Sequence, residues 1–144
     1  MKINKPYIFL SSGLSSEQDR NRNEVIAARL QTLAEIYLPQ RDGGLFVDLL
    51  KSGLSWKQAA AEIYNADMSA LQSSDIVVAV LPKGFVGGGV CFELGAAIAL
   101  RKMCWGLVMQ DEERFKSPLI ETAISKYFES LEDLEICLAQ WKGP

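Results

Sequence analysis

The sequence predicts an α/β fold. A single domain over residues 1–144 would carry a parallel sheet of four to five strands flanked by helices, Rossmann-like or flavodoxin-like. Three observations lead there. Residues 75–81, Asp-Ile-Val-Val-Ala-Val-Leu, form an apolar run of strand length, as expected of a strand covered on both faces. Strand-like segments alternate with stretches of helical period. Two Ser-x-x-Gln signatures, at 15–18 and 55–58, stand where helices would open.

Residues 6–11 read as the first buried strand, and Ser12, Gly13, Leu14 and Ser15 turn the chain. The helix after the first signature carries Val25, Ile26, Leu30, Leu33 and Ile36 near helical spacing. Residues 37–39 suggest a short second strand. Asp42, Gly43 and Gly44 mark a turn, and 44–54 form a connection without a clear period. From Ser55 a helix reaches about Ser73, with Trp56, Ala60, Ile63, Asp67 and Leu71 on one stripe. The glycine-rich loop 84–89 precedes a helix over about 90–102. Its Gly95, Ala96, Ala97 and Ala99 suit close packing on a sheet. Residues 104–109 read as a strand, 110–116 as a charged loop, 119–125 as a short helix and 131–141 as an amphipathic helix. No repeat, low-complexity stretch or domain boundary interrupts the pattern.

With 49% apolar and 23% charged residues, the chain can build one proper core. A net charge of −3, a pI near 5.0 and the lack of a basic block argue against a nucleic-acid partner. No secretory signal and no apolar run of about 18 residues stands in the sequence, so no membrane partner and a cytoplasmic setting are expected. Cys91, Cys104 and Cys137 are odd in number and widely spaced, which fits neither a disulfide framework nor a zinc site. They are expected to be reduced and mostly buried. No metal or other cofactor is called for.

Two acidic residues stand out. Asp67 falls on the apolar stripe of its helix, and Glu93 follows the glycines at the start of the next helix. Both helices flank the 75–81 strand. Buried, unpaired carboxylates are costly, so such positions are candidates for chemistry. The chain has no histidine, which leaves carboxylates as the leading nucleophile and acid/base. Placed in the first helical turn, Glu93 would stay ionised under the helix dipole and could attack an anomeric carbon. Asp67, its pKa raised by burial, could protonate the leaving group. Ordinary structural roles compete: a dipole interaction for Glu93, a pairing with Arg or Lys for Asp67. The 84–89 loop lacks the Lys-Ser/Thr of a P-loop and the spacing of a dinucleotide fingerprint. In open α/β sheets ligands bind outside the carboxyl ends of the strands, where the 11–13 turn and the 82–90 loop fall.

Taken together, Tyr64-Asn65-Ala66-Asp67, Ser74-Asp75 with its apolar run, and Glu93-Leu94-Gly95-x-Ala97 resemble the nucleoside 2-deoxyribosyltransferase family, which includes deoxynucleoside 5′-monophosphate N-glycosidases. The opening Tyr7-Ile8-Phe9-Leu10-Ser11-Ser12-Gly13 is similar to the family's first strand and loop. The resemblance covers most of the chain to about Lys102. It implies that Glu93 forms a covalent deoxyribosyl-enzyme from a 2′-deoxynucleoside or deoxynucleotide, and that a free nucleobase then takes the sugar. Asp67 would contact and protonate the base. Ser11, Ser12, Gly13, Gly87, Gly89 and Tyr7 would bind substrate, with Arg20 and Lys83 as possible phosphate contacts.

The resemblance has departures. Gly87 stands where family transferases carry an Asp; the related hydrolases also lack that Asp, hold the phosphate with Ser and Gly groups of the corresponding loops, and use water as the sugar acceptor. Ile8 aligns with the family's strand-one tyrosine, beside Tyr7. The family builds its site across subunits, so a homo-oligomer is implied. Residues 117–121 contain no Asn to donate to a neighbour, and Glu121 is the substitute there. Three readings follow: a transferase, an N-glycosidase using water, and a nucleotide-binding module without turnover.

Overall fold

The central sheet runs β2-β1-β3-β4-β5, every pair parallel, in a computed structural model that describes residues 4–144. The strands are β1 (Tyr7–Ser11), β2 (Glu35–Tyr37), β3 (Ile76–Leu81), β4 (Met103–Val108) and β5 (Lys126–Phe128). The helices are α1 (Glu17–Leu30), α2 (Phe46–Lys51), α3 (Trp56–Ser73), α4 (Gly88–Ala99), α5 (Pro118–Ala123) and α6 (Leu131–Ala139). The strand order reverses between β1 and β3, which makes the carboxyl ends of those two strands the switch point where α/β proteins bind ligands.

Alternation along the strands assigns the two faces. Ile8, Leu10, Ile76, Val78 and Val80 pack with α1 and α6 through Ile26, Leu30, Leu134 and Leu138. Phe9, Val77, Ala79 and Leu81 pack with α3 and α4 through Leu71, Val90, Leu94 and Ala97. All six residues of β3 are buried, as its unbroken apolar run requires. Ser11 ends β1 on the α3/α4 face, where a buried hydroxyl needs a partner.

The Ser55–Gln58 capping box forms in full and opens α3 at Trp56. Near the first signature the cap moves by one residue. Ser16, not Ser15, accepts the Asp19 N–H, because Asp19 also accepts from the Ser16 hydroxyl. Of the expected apolar set Ile26 and Leu30 are buried in the core, and Leu33 and Ile36 pack against it half-buried. Val25 faces solvent, and Leu33 and Ile36 lie past the helix end. The second strand is 35–37 rather than 37–39. Pro39–Gly43 instead forms a π-helical turn, and Gly44 leaves it at φ 88°, a left-handed conformation that favours glycine. The 44–54 connection contains α2, none of whose residues is buried.

Helix α4 begins two residues earlier than its sequence pattern suggests, and only Ala97 of the small set is buried. It stops at Ala99, before Arg101 turns into the left-handed region. Strand β5 was not anticipated. It has three residues and pairs only with β4. Cys104 is buried and Cys137 half-buried, but Cys91 is exposed, contrary to the expectation of mostly buried thiols. Among the described residues no helix is long and apolar enough to cross a membrane, and no three metal-ligating side chains cluster.

Candidate active site

Ser11 reaches from the end of β1 to α4, and its hydroxyl donates a short hydrogen bond to Glu93 Oε2. The partner that the buried Ser11 needs is thus the acidic residue singled out in the sequence. Glu93 is the sixth residue of α4, not part of its first turn, so the helix dipole gives it little support there. Burial pushes its carboxyl up to about 7. The Ser11 hydrogen bond lowers it, and the negative charge of Asp67 raises it further. An ionised resting Glu93, expected from the dipole, therefore gives way to a carboxyl whose burial favours the protonated form.

Asp67 faces the same space from α3. Its partner is Tyr37, whose hydroxyl donates to Asp67 Oδ1 at 2.9 Å. Burial raises the Asp67 pKa, and this hydrogen bond holds it back. Neither carboxylate forms an ion pair among the described residues, so the structural pairing of Asp67 with Arg or Lys is not made.

Between α3 and α4 lies a cavity of about 430 Å³ with both carboxylates in its wall, within the range usual for small-molecule sites. The stripe Trp56, Ala60, Ile63, Asp67 and Leu71 lines one side. Gly89, Phe92 and Glu93 line the other, and Phe46 of α2 closes an end. Tyr64 and Phe92 pack with ring centroids 6.2 Å apart, and Phe46 meets Trp56 edge-on at 5.7 Å. Flat aromatic faces with two carboxylates suit a planar heterocycle joined to a polar group. Asp67, Phe46 and Ile63 also border a second cavity of about 640 Å³, which holds Arg20 and Lys51.

The remaining candidates divide. Gly89 lines the main cavity. Gly13 and Gly87 border a smaller one of about 190 Å³ beyond the β3 end. Ser12 points to the opposite face. Its hydroxyl donates to buried Asn23 at 2.6 Å, and Asn23 in turn donates to Gly13 O and Gln40 Oε1. Asn23 thereby pins the turn after β1 with its own hydrogen-bonding capacity in use.

Tyr7 sits at the amino end of β1, roughly 13 Å back along the strand from Ser11 at about 3.3 Å per residue. It lines none of these cavities, so the contact expected of it is not made. Ile8, its alignment neighbour, is buried on the other face. Arg20 donates to Leu14 O at 2.7 Å, and Lys83 pairs with Glu113 on the surface. Glu121 accepts from buried Arg114 at 2.6 Å within its own chain.

Sequence reasoning gave no site role to Tyr37, Gly43, Phe46, Tyr64 or Phe92. The last two had a signal. Tyr64 stands three residues before Asp67, one turn away on the helix, and Phe92 adjoins Glu93. Tyr37 and Gly43 had none, because their contacts with Asp67 cross between elements distant in sequence.

The fold is thus a 2-1-3-4-5 parallel α/β sheet with two carboxylates lining one cavity beside its switch point. The chain belongs to the nucleoside 2-deoxyribosyltransferase family, whose model matches residues 8–135. That family acts on N-glycosidic bonds. Among solved structures the chain is similar to the 2-deoxyribosyltransferase of Bacillus psychrosaccharolyticus (18% identity, TM-score 0.78, covering 94% of this chain and 92% of that one). It is also similar to a conserved protein of Enterococcus faecalis V583 (21%, 0.78, 94% and 98%). The CMP N-glycosidase of Clostridium botulinum is a third (18%, 0.57, 92% and 98%). At these identities the likeness establishes the fold. No curated protein matches the sequence at a significant level.

Proposed function

We propose that this protein is a nucleoside 2-deoxyribosyltransferase that works through a covalent deoxyribosyl-Glu93 intermediate. The observation that carries the reading is the pair of carboxylates in one aromatic cavity, with Glu93 held by the buried Ser11 hydroxyl. Ionised Glu93 attacks C1′ of a 2′-deoxynucleoside. The C1′–N bond breaks, its electron pair moves onto the base, and Asp67 supplies the proton that neutralises it. A second base then reverses these steps, returning a proton to Asp67 and freeing Glu93. The aromatic lining stacks the base during both half-reactions.

The hydrolytic alternative, with water as acceptor and a 5′-monophosphate as substrate, has one observation in its favour. Gly87, in the position of the transferases' aspartate, borders the small cavity beside Gly13 and leaves it room. A homo-oligomer belongs to either reading, as the family resemblance implies. The half-exposed Tyr64 and Phe92 and the more exposed Trp56 give the α3/α4 face apolar surface for one.

Product chromatography separates the readings. In one tube 2′-deoxyinosine is incubated with and without excess adenine, and in a second tube dGMP replaces it. Transferase chemistry yields deoxyadenosine in the first tube only when adenine is present. Free guanine from dGMP without any new nucleoside would replace this reading with the hydrolytic one. No product in either tube with these or other 2′-deoxynucleosides would favour a binding module.

A further inference from the structure

We propose that Tyr37 is a positioning residue that orients the Asp67 carboxyl group for proton donation, and that position 43 must be glycine to leave room for this pair. The inference rests on the acid role of Asp67 given above.

Tyr37 ends β2 opposite Phe9 in the β1–β2 register, and the two rings stack at 5.2 Å with planes 21° apart. This stacking fixes the phenol. Its hydroxyl donates to Asp67 Oδ1, so a proton on the Asp67 carboxyl belongs on Oδ2. The hydrogen bond therefore selects the oxygen that donates. As the C1′–N bond breaks, the proton passes from Oδ2 to a ring nitrogen of the departing base. The carboxylate left behind keeps the Tyr37 hydrogen bond, which strengthens when its acceptor is charged. Tyr37 itself stays protonated, since burial and the nearby Asp67 both push its pKa up.

Gly43 closes the π-helical turn against this pair. A Cβ there would lie 2.7 Å from Tyr37 Oη and 2.9 Å from Asp67 Oδ1. Its backbone is outside the left-handed region, so alanine at 43 would be unstrained except for the methyl itself. The glycine is needed for space at the site rather than for the turn.

The test compares two substrates in wild type, Tyr37→Phe and Gly43→Ala. One is a 2′-deoxypurine nucleoside or nucleotide whose base needs a proton to leave. The other is its N7-methylated counterpart, whose cationic base leaves without one. Phenylalanine at 37 preserves the stack on Phe9. Both variants should lose about tenfold to a hundredfold in kcat on the first substrate, less than the roughly hundredfold to ten-thousandfold that a general acid itself contributes, with KM changed less than about twofold. On the methylated substrate kcat should hold. Equal losses on both substrates, or none, would overturn the proposal. A wild type that releases base from neither substrate would instead overturn the functional reading, and this proposal with it. A readout independent of turnover is the 13C titration of the Asp67 carboxyl. In Tyr37→Phe it should move to higher pH, and an unchanged titration would also overturn the proposal.

Discussion

At the scale of single residues, Glu93 couples reactivity to stability. Its carboxyl titrates near 4.5 when unfolded and is pushed up to about 7 in the folded protein. Between these values the folded chain keeps a proton that the unfolded chain has released. Stability should therefore fall as pH rises from about 4.5 to 7 and stay lower above. Glu93→Gln removes this fall. At pH 8 the variant should be more stable than wild type by roughly 1–3 kcal/mol, and near pH 4 the two should match, as read by denaturant unfolding. The same titration governs rate. In the proposed reaction Glu93 must be ionised and Asp67 protonated, so log kcat/KM should climb with pH as Glu93 loses its proton and fall again as Asp67 loses its own. The Asp67 charge contributes to raising Glu93, so Asp67→Asn should move the rising limb to lower pH while slowing bases that need a proton. A rising limb that stays in place would show that the two carboxylates do not interact.

These two acids were legible in the sequence because each breaks an apolar pattern. Asp67 interrupts the α3 stripe, and Glu93 follows glycines in a segment that is otherwise small and apolar. Their protonation was not legible. It depends on how many turns separate Glu93 from the helix start, and the helical Gly88 and Gly89 added two residues there. Ser11 is expected from the sequence as a substrate contact, and its hydrogen bond to Glu93 from β1 to α4 has no signal in the sequence.

At the scale of elements, α3 carries Asp67 and one wall of the cavity, so its start matters. Ser55 accepts the Gln58 N–H, and the Gln58 side chain accepts from the Ser55 N–H. Ser55→Ala should cost about 1 kcal/mol of stability by thermal or denaturant unfolding, with KM altered more than kcat if the cavity wall frays. A cost below about 0.3 kcal/mol would mean that packing alone sets the start of α3. Local signals of this kind were readable wherever the partners are three or four residues apart. They failed by one residue at Ser15, where Asp19 competed with Gln18 for the cap. Strand β5 escaped notice because three residues, Lys-Tyr-Phe, show no period and gain their conformation from pairing with β4.

At the scale of the whole molecule, the sequence pattern implied a parallel α/β sheet but not its strand order. The 2-1-3-4-5 arrangement places α3 and α4 side by side on the face that holds Ser11 at the β1–β3 switch point. Tyr7, expected as a substrate contact, lies at the amino end of β1, away from the described cavities. Its strand was read correctly, but the ligand end of the sheet lies at Ser11. In the proposed reaction Glu93 carries the sugar between two bases. Intact-protein and peptide mass spectrometry, after rapid acid quench of the enzyme with a cleavable 2′-deoxynucleoside and no acceptor, tests it most directly. A deoxyribosyl adduct is expected on the peptide containing Glu93, lost when free base is added and absent in Glu93→Gln. Base release without any adduct, or an adduct on another residue, would contradict it.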